Sequence, residues 1–242
     1  DGCITAAFNH RVYAESWYLN LMTNNSWDCL VLNDYEAVMP LPFKKKMGIK
    51  YIVMPNFCQQ LGVFYAKEIT TEQFTLFEKK LHRYLVRSYH FNEENTAVFQ
   101  PKGELRNNYL LNCAKEYSVL KQAYRKNRIY DLLKFEQSSC EIKKEIDFLS
   151  IDQLIRLNYN TVFNKQDVML IKKLLKHAEN EKNTEIIQLK IMFSGKCVAS
   201  NIFLNTKKRV TNSFLFRDKL FNKINTSTVL IDAIIQQSNG KT

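Results

Sequence analysis

With 242 residues, 45% of them apolar and 12% aromatic, the chain holds enough apolar material for a packed core, which excludes a disordered segment and allows one large domain or two modest ones. Its 35 Lys and Arg against 24 Asp and Glu leave a formal charge of +11, which favours an acidic partner: nucleic acid, a phosphorylated cofactor or an anionic surface. No apolar run reaches the roughly 18 residues of a bilayer-crossing helix and no leader precedes the first element, so no membrane span is expected and the expected compartment is the cytoplasm.

In chain order, Trp27 to Leu32 reads as a strand and Asn33-Asp34 as a tight turn, followed by strands at Tyr35 to Phe43, Tyr51 to Met54 and Leu61 to Tyr65. The first hairpin is nearly continuously apolar, which predicts strands covered on both faces. Thr70 and Gln73 form a capping box, and Phe74, Phe77, Leu81 and Leu85 share one stripe of the amphipathic helix that starts there. The stretch from about Asn92 to Asn108 is the best candidate for a domain boundary, giving domains over 1–100 and 101–242. Between Gly103 and Gly195 there is neither glycine nor proline, and the charged, helix-favouring composition predicts several helices. Ile187, Leu189, Ile191 and Phe193 then alternate with Gln188, Lys190, Met192 and Ser194, the pattern of a half-buried strand with a mainly polar outer face. A turn at Ser194-Gly195-Lys196, strands at Cys197 to Leu204 and Val210 to Phe216, and an apolar helix from about Asn225 to Gln237 complete the run. Hairpin, further strand and helix therefore occur twice in the same order, which suggests duplication of one α/β unit.

Familiar catalytic constellations are missing. The six cysteines are isolated in mostly apolar stretches, and the four histidines lack metal-ligand spacing, so neither a disulfide framework nor a metal site is expected. The terminal Gly240-Lys241-Thr242 resembles the end of a phosphate loop, but Ile235 stands where that loop needs glycine, and the motif would follow a helix instead of preceding one. Lys44-Lys45-Lys46 beside a strand end fits a solvated loop. If Ser118 to Phe135 is one helix, Asn127 falls within its apolar arc while Arg125 and Arg128 leave it; a buried amide there needs partners, either in a neighbouring loop or in a substrate cleft. Gln59 and Gln60, just before Leu61-Gly62-Val63, either pin a bulge or line a pocket.

Several segments carry a family resemblance. Asn107 to Asn112 followed by Tyr124 to Arg128, the tract Phe193 to Leu204, and Thr226 to Ile235 are together similar to the second domain of the Fem-type branch of the GNAT acyltransferase superfamily, whose members carry two such domains in one chain. Tyr35 to Pro42 with Gln59 to Phe64 resembles bacterial GNAT-like proteins of unassigned activity. The resemblance implies an α/β (α+β) fold of tandem GNAT-like domains, mixed sheets flanked by helices, with the second domain incomplete at its C-terminus. It also implies an N-acyltransferase that moves an acetyl or aminoacyl group to an amine, with acetyl-CoA or aminoacyl-tRNA as donor, no metal, and tRNA as a further partner. The donor site falls on Lys219, Lys223, Asn225, Thr226 and Ser227 at a helix start; Gln59, Gln60, Asn127, Arg128 and Arg217 are the candidate substrate-binding residues. Most GNAT enzymes cradle the coenzyme pyrophosphate with a glycine-rich loop, whereas Arg217 to Asn225 has no glycine, so weak coenzyme A binding is expected. A GNAT-shaped module without catalysis and a basic RNA-contacting protein are the alternatives.

Overall fold

The computed structural model describes residues 1–177 and 183–238. The Gly240-Lys241-Thr242 motif lies outside the described residues. The chain divides into two compact units, Asp1–Asn108 and Tyr109–Thr242.

The first unit opens with two short helices, α1 (Gly2–Ala6) and α2 (Ser16–Thr23), separated by a 3-10 turn at Val12–Ala14. Next, β1 (Trp27–Leu32) and β2 (Ala37–Lys46) pair antiparallel from Trp27↔Pro42 to Leu32↔Ala37. On the other edge of β2, β3 (Ile49–Ile52) pairs at Phe43↔Ile52 and β4 (Phe64–Tyr65) at Ala37↔Tyr65. Helix α3 (Thr71–Leu81) follows, then β5 (Leu85–Val86) parallel to β3, and α4 (Glu93–Phe99). The Thr70 capping box forms as the sequence predicts, and Phe74, Phe77 and Leu81 bury against Met39, Leu41, Ile52 and Val63.

Between β3 and β4 the chain leaves the sheet, and Pro40 and Pro42 of β2 face that gap. Their carbonyls accept hydrogen bonds there, from the Tyr89 hydroxyl at 2.9 Å and from the Val53 N–H at 3.1 Å. The N–H groups that proline lacks would point the same way, so two prolines fit an inner strand without breaking its ladder with β1. Gly62 brings the chain back at φ +122, where an added Cβ would stand 2.1 Å from Asn95 Oδ1. Asn95 holds the next residue as a strand partner would: Val63 N–H donates to its Oδ1 at 2.7 Å, and its Nδ2 donates to the Val63 carbonyl at 3.0 Å.

Three expectations change in this unit. β1 is an edge strand, with Asp28 and Val31 exposed, so the first hairpin is not covered on both faces. The turn after β1 spans residues 33–36, because Asn33 and Tyr35 take left-handed backbone and Glu36 N–H bonds the Leu32 carbonyl. Leu85 leaves the helical stripe, since α3 ends at Leu81 and Leu85 lies exposed in β5.

In the second unit the glycine-free tract folds into α5 (Tyr117–Gln122), α6 (Lys126–Glu136), α7 (Phe148–Asn158) and α8 (Lys165–His177), interrupted by a strand the composition does not reveal, β6 (Cys140–Lys144). Strands β7 (Thr184–Phe193), β8 (Lys196–Thr206) and β9 (Val210–Arg217) join it in an antiparallel sheet of order β6-β7-β8-β9, and α9 (Thr226–Gln236) follows. One face of the sheet packs Leu189, Ile191, Ala199 and Phe203 against Leu132 of α6 and Val229, Leu230 and Ile234 of α9. On the other face, Phe216 meets the Tyr159 and Phe163 rings beyond α7. β7 is not half-buried as its alternation predicts. Gln188 and Lys190 are buried too, because residues leading into α7 cover the polar face and satisfy it.

Candidate functional site

The β9–α9 connection builds a cavity of about 250 Å³ lined by Arg217, Asp218, Lys219, Phe221, Asn222, Ile224, Asn225 and Thr226. Its floor follows from local hydrogen bonding. Asp218 N–H donates to the Val198 carbonyl at 2.8 Å, carrying the β9 pairing one step further, and the Asp218 carboxylate accepts Leu220 N–H at 2.9 Å to turn the chain. None of residues 217–225 needs a positive φ, which is why the loop closes without glycine. Asn225 caps α9: its Oδ1 accepts Thr228 N–H at 3.3 Å and its carbonyl accepts Val229 N–H at 3.2 Å. The N–H groups of Thr226 and Ser227 have no partner among the described residues. They stand at the positive end of the helix dipole, on an eleven-residue helix.

Basic residues lie near this end. Lys219 is anchored through its backbone N–H to Asn158 Oδ1 at 3.0 Å, with its ammonium 5.1 Å from the Tyr159 ring centre. Arg217 N–H donates to the Tyr159 hydroxyl at 3.3 Å. Lys223 turns its ammonium over the Phe193 ring at 4.0 Å and does not line the cavity. Arg128 of α6 reaches the first turn of α9, donating to Thr228 Oγ1 at 2.9 Å and to Asp131 at 3.3 Å. Such an end suits a phosphate or carboxylate, which two free N–H groups, the dipole and nearby cations all attract.

Of the residues singled out by sequence, Arg217, Lys219, Asn225 and Thr226 share the cavity wall, and Ser227 and Arg128 belong to the same helix end. Asn127 does not join them. It is exposed, because Arg125 takes an extended conformation that separates α5 from α6 and dissolves the apolar arc a continuous helix would carry. Gln59 and Gln60 belong to the first unit, where they pin the excursion between β3 and β4: His90 Nδ1 donates to the Gln59 carbonyl at 3.1 Å, and Arg11 Nε donates to Gln60 Oε1 at 3.0 Å. The buried carboxylate of Asp232 is not foreseen from the sequence. Asp232 of α9 accepts the hydroxyls of Tyr117 and Tyr124 at 2.8 and 2.9 Å, and burial followed by this carboxylate pushes the Tyr117 phenol up to about 12. An i, i+7 tyrosine pair was its only trace in the sequence. Among the described residues no group of His, Cys, Asp or Glu is placed to hold a metal ion, and no helix is long and apolar enough to cross a membrane.

No family model and no curated protein matches the chain. Among solved structures it is similar to the crystal structure of FemX, with a TM-score of 0.66 at 7% sequence identity, over 98% of this chain and 82% of that one. At that identity the likeness concerns the backbone alone. The chain has a Fem-like GNAT fold: mixed α/β, with sheets flanked by helices.

Proposed function

We propose that the chain is a Fem-type, GNAT-like N-acyltransferase that transfers an acetyl or aminoacyl group to an amine, and that the α9 end holds the anionic part of the acyl donor. The observation that carries this reading is the pair of unpartnered N–H groups at the α9 start, Thr226 and Ser227, the first of them in the wall of a cavity that Arg217 and Lys219 also line. In such a reaction the amine attacks the carbonyl of a thioester or aminoacyl ester, the C–S or C–O bond breaks, and the proton lost from nitrogen goes to the leaving group or solvent. That chemistry needs positioning and an oxyanion donor more than a nucleophilic side chain, which accords with a sequence lacking any triad. Without glycine in residues 217–225 the loop cannot wrap closely around the coenzyme A pyrophosphate, whereas the α9 N–H groups can still take a single phosphate, which favours aminoacyl-tRNA over coenzyme A as donor. The two compact units are proposed as two GNAT-like domains.

A non-catalytic binding module is the second reading. It draws on Asp218, the one carboxylate among the residues lining the cavity, whose Oδ1 accepts Leu220 N–H and so serves the turn.

The test uses Thr226→Pro. Proline suits the first turn of a helix but deletes the Thr226 N–H together with its buried side chain, so Thr226→Val, which keeps the N–H, is the control. The proline variant should keep the helical signal in circular dichroism and bind aminoacyl-tRNA roughly tenfold more weakly than wild type, and Thr226→Val should bind as wild type does. Transfer of a labelled aminoacyl group from tRNA to an amine acceptor, slowed in the variant, supports the enzyme. Binding without transfer under any acceptor supports the module, and unchanged binding by Thr226→Pro removes α9 from the site.

A further inference from the structure

We propose that the β2–β3 hairpin tip is a docking element for an anionic lipid bilayer. Lys46 and Ile49 pair across a two-residue turn in which Met47 and Gly48 have φ of 50 and 80. Turns of this kind favour Asn or Asp before Gly, because the first position is left-handed and penalises larger side chains. Met47 is therefore a poor choice for folding, and it is 93% exposed. The tight turn between β7 and β8 offers the contrast: Ser194-Gly195 there has the same left-handed pair with a polar side chain. Backbone strain held at an exposed apolar tip points to a contact the free chain does not make.

The surroundings name the chemistry. Register places Ile49 beside Tyr51 on one sheet face, and Leu85 is paired with Tyr51, so Ile49 and Leu85, 62% and 65% exposed, extend the apolar surface from the tip. Lys44 and Lys46 lie on the same face, opposite Tyr51 and Ile49, and Lys45 lies on the other face. All three are exposed and pair with no carboxylate among the described residues, whereas Lys50 is neutralised by Asp28 at 3.0 Å. Unpaired ammonium groups around a protruding aliphatic tip match headgroup phosphates above an acyl layer. A nucleic acid would engage the lysines but leave Met47, Ile49 and Leu85 wet, since bases stack on aromatic rings and not on aliphatic chains. A protein partner would need a cavity shaped for this convex tip, while a bilayer deforms around it.

The experiment is co-sedimentation of the full chain with vesicles of phosphatidylcholine, with and without phosphatidylglycerol. The chain should sediment with the anionic vesicles and stay in solution with phosphatidylcholine alone. Met47→Asp, which improves the turn chemistry and so does not threaten folding, should weaken the partition roughly tenfold. Joint replacement of Lys44, Lys45 and Lys46 by alanine should weaken it by about a hundredfold, near fivefold per lysine. In Met47→Trp, the indole emission should shift to the blue on adding anionic vesicles. The proposal is overturned if wild type fails to sediment with anionic vesicles at low salt, if Met47→Asp binds them as well as wild type, or if the lysines retain tRNA on a filter while vesicles are ignored.

Discussion

Asn201 of β8 is fully buried, and neither its Oδ1 nor its Nδ2 has a partner among the described residues. Its cross-strand neighbours are Leu189 and Leu215, and Ala199 and Phe203 flank it on the same face, so the amide sits in an apolar wall beneath α9. Leaving such a group unpaired costs about 1–3 kcal/mol. Asn201→Leu should therefore raise the stability measured by urea unfolding by about 1 kcal/mol, part of the gain being lost to the different side-chain shape. A variant less stable than wild type would mean that the amide is satisfied in solution. Gly62 gives the opposite case: Gly62→Ala meets Asn95 Oδ1 and a positive φ together, and should lower stability by about 2 kcal/mol or more in the same measurement. What the sequence discloses at this scale is what is local. Thr70 and Gln73 are three residues apart and cap each other whatever the rest of the chain does, so their role is legible from sequence. Asn127 depends on whether the helix runs through Tyr124 and Arg125, and composition does not encode that break.

At the scale of elements, the polar face of β7 is the clearest departure from pattern. Lys190 donates to Asp147 at 2.9 Å and to Glu145 at 3.0 Å; Gln188 accepts Asp147 N–H and donates to Ser200, and the Ser150 hydroxyl donates to Asp147. Alternation identifies which residues face which side, but it cannot show that the segment entering α7 will cover the polar side and bring its own carboxylates. Burial works against the Asp147 carboxylate, yet the hydrogen bonds from Ser150 and Lys190 outweigh it and hold this carboxyl below its usual range. Burial likewise opposes the Lys190 charge, and the two carboxylates overcome it and raise the ammonium above its usual range. The signs follow by linkage. The Asp147 contribution is complete above the ordinary aspartate range and is lost as pH falls through its lowered native value; the Lys190 contribution is complete below the ordinary lysine range and is lost as pH rises through its raised native value. Asp147→Asn should cost about 2 kcal/mol at neutral pH, and the gap between variant and wild type should narrow in acid. An equal gap at neutral pH and well below the ordinary aspartate range would show that the charge contributes nothing.

Across the whole molecule, each unit contains an antiparallel run of three strands followed by a helix: β1, β2 and β3 with β4 before α3, and β7, β8 and β9 before α9. The order of elements was legible because hydrophobic period and turn residues act within one segment. The splitting of one edge into β3 and β4 was not, because it depends on Tyr89 and Asn95, distant in sequence, filling the gap. If the two units are domains in their own right, the chain between them should be cut first by proteases. Residues 102–112 lie outside helices and strands and are all exposed, including Lys102, Leu105, Arg106 and Tyr109. Trypsin at low dose should cleave after Lys102 or Arg106 and chymotrypsin near Leu105 or Tyr109, before sites in β2 or α9, where hydrogen-bonded backbone resists the extended conformation a protease requires. The two products should each keep helical and strand signals in circular dichroism after separation, since each holds its own apolar core. First cuts inside β7 or α3, or fragments that unfold once separated, would show that the two units stand or fall together and that neither is a domain.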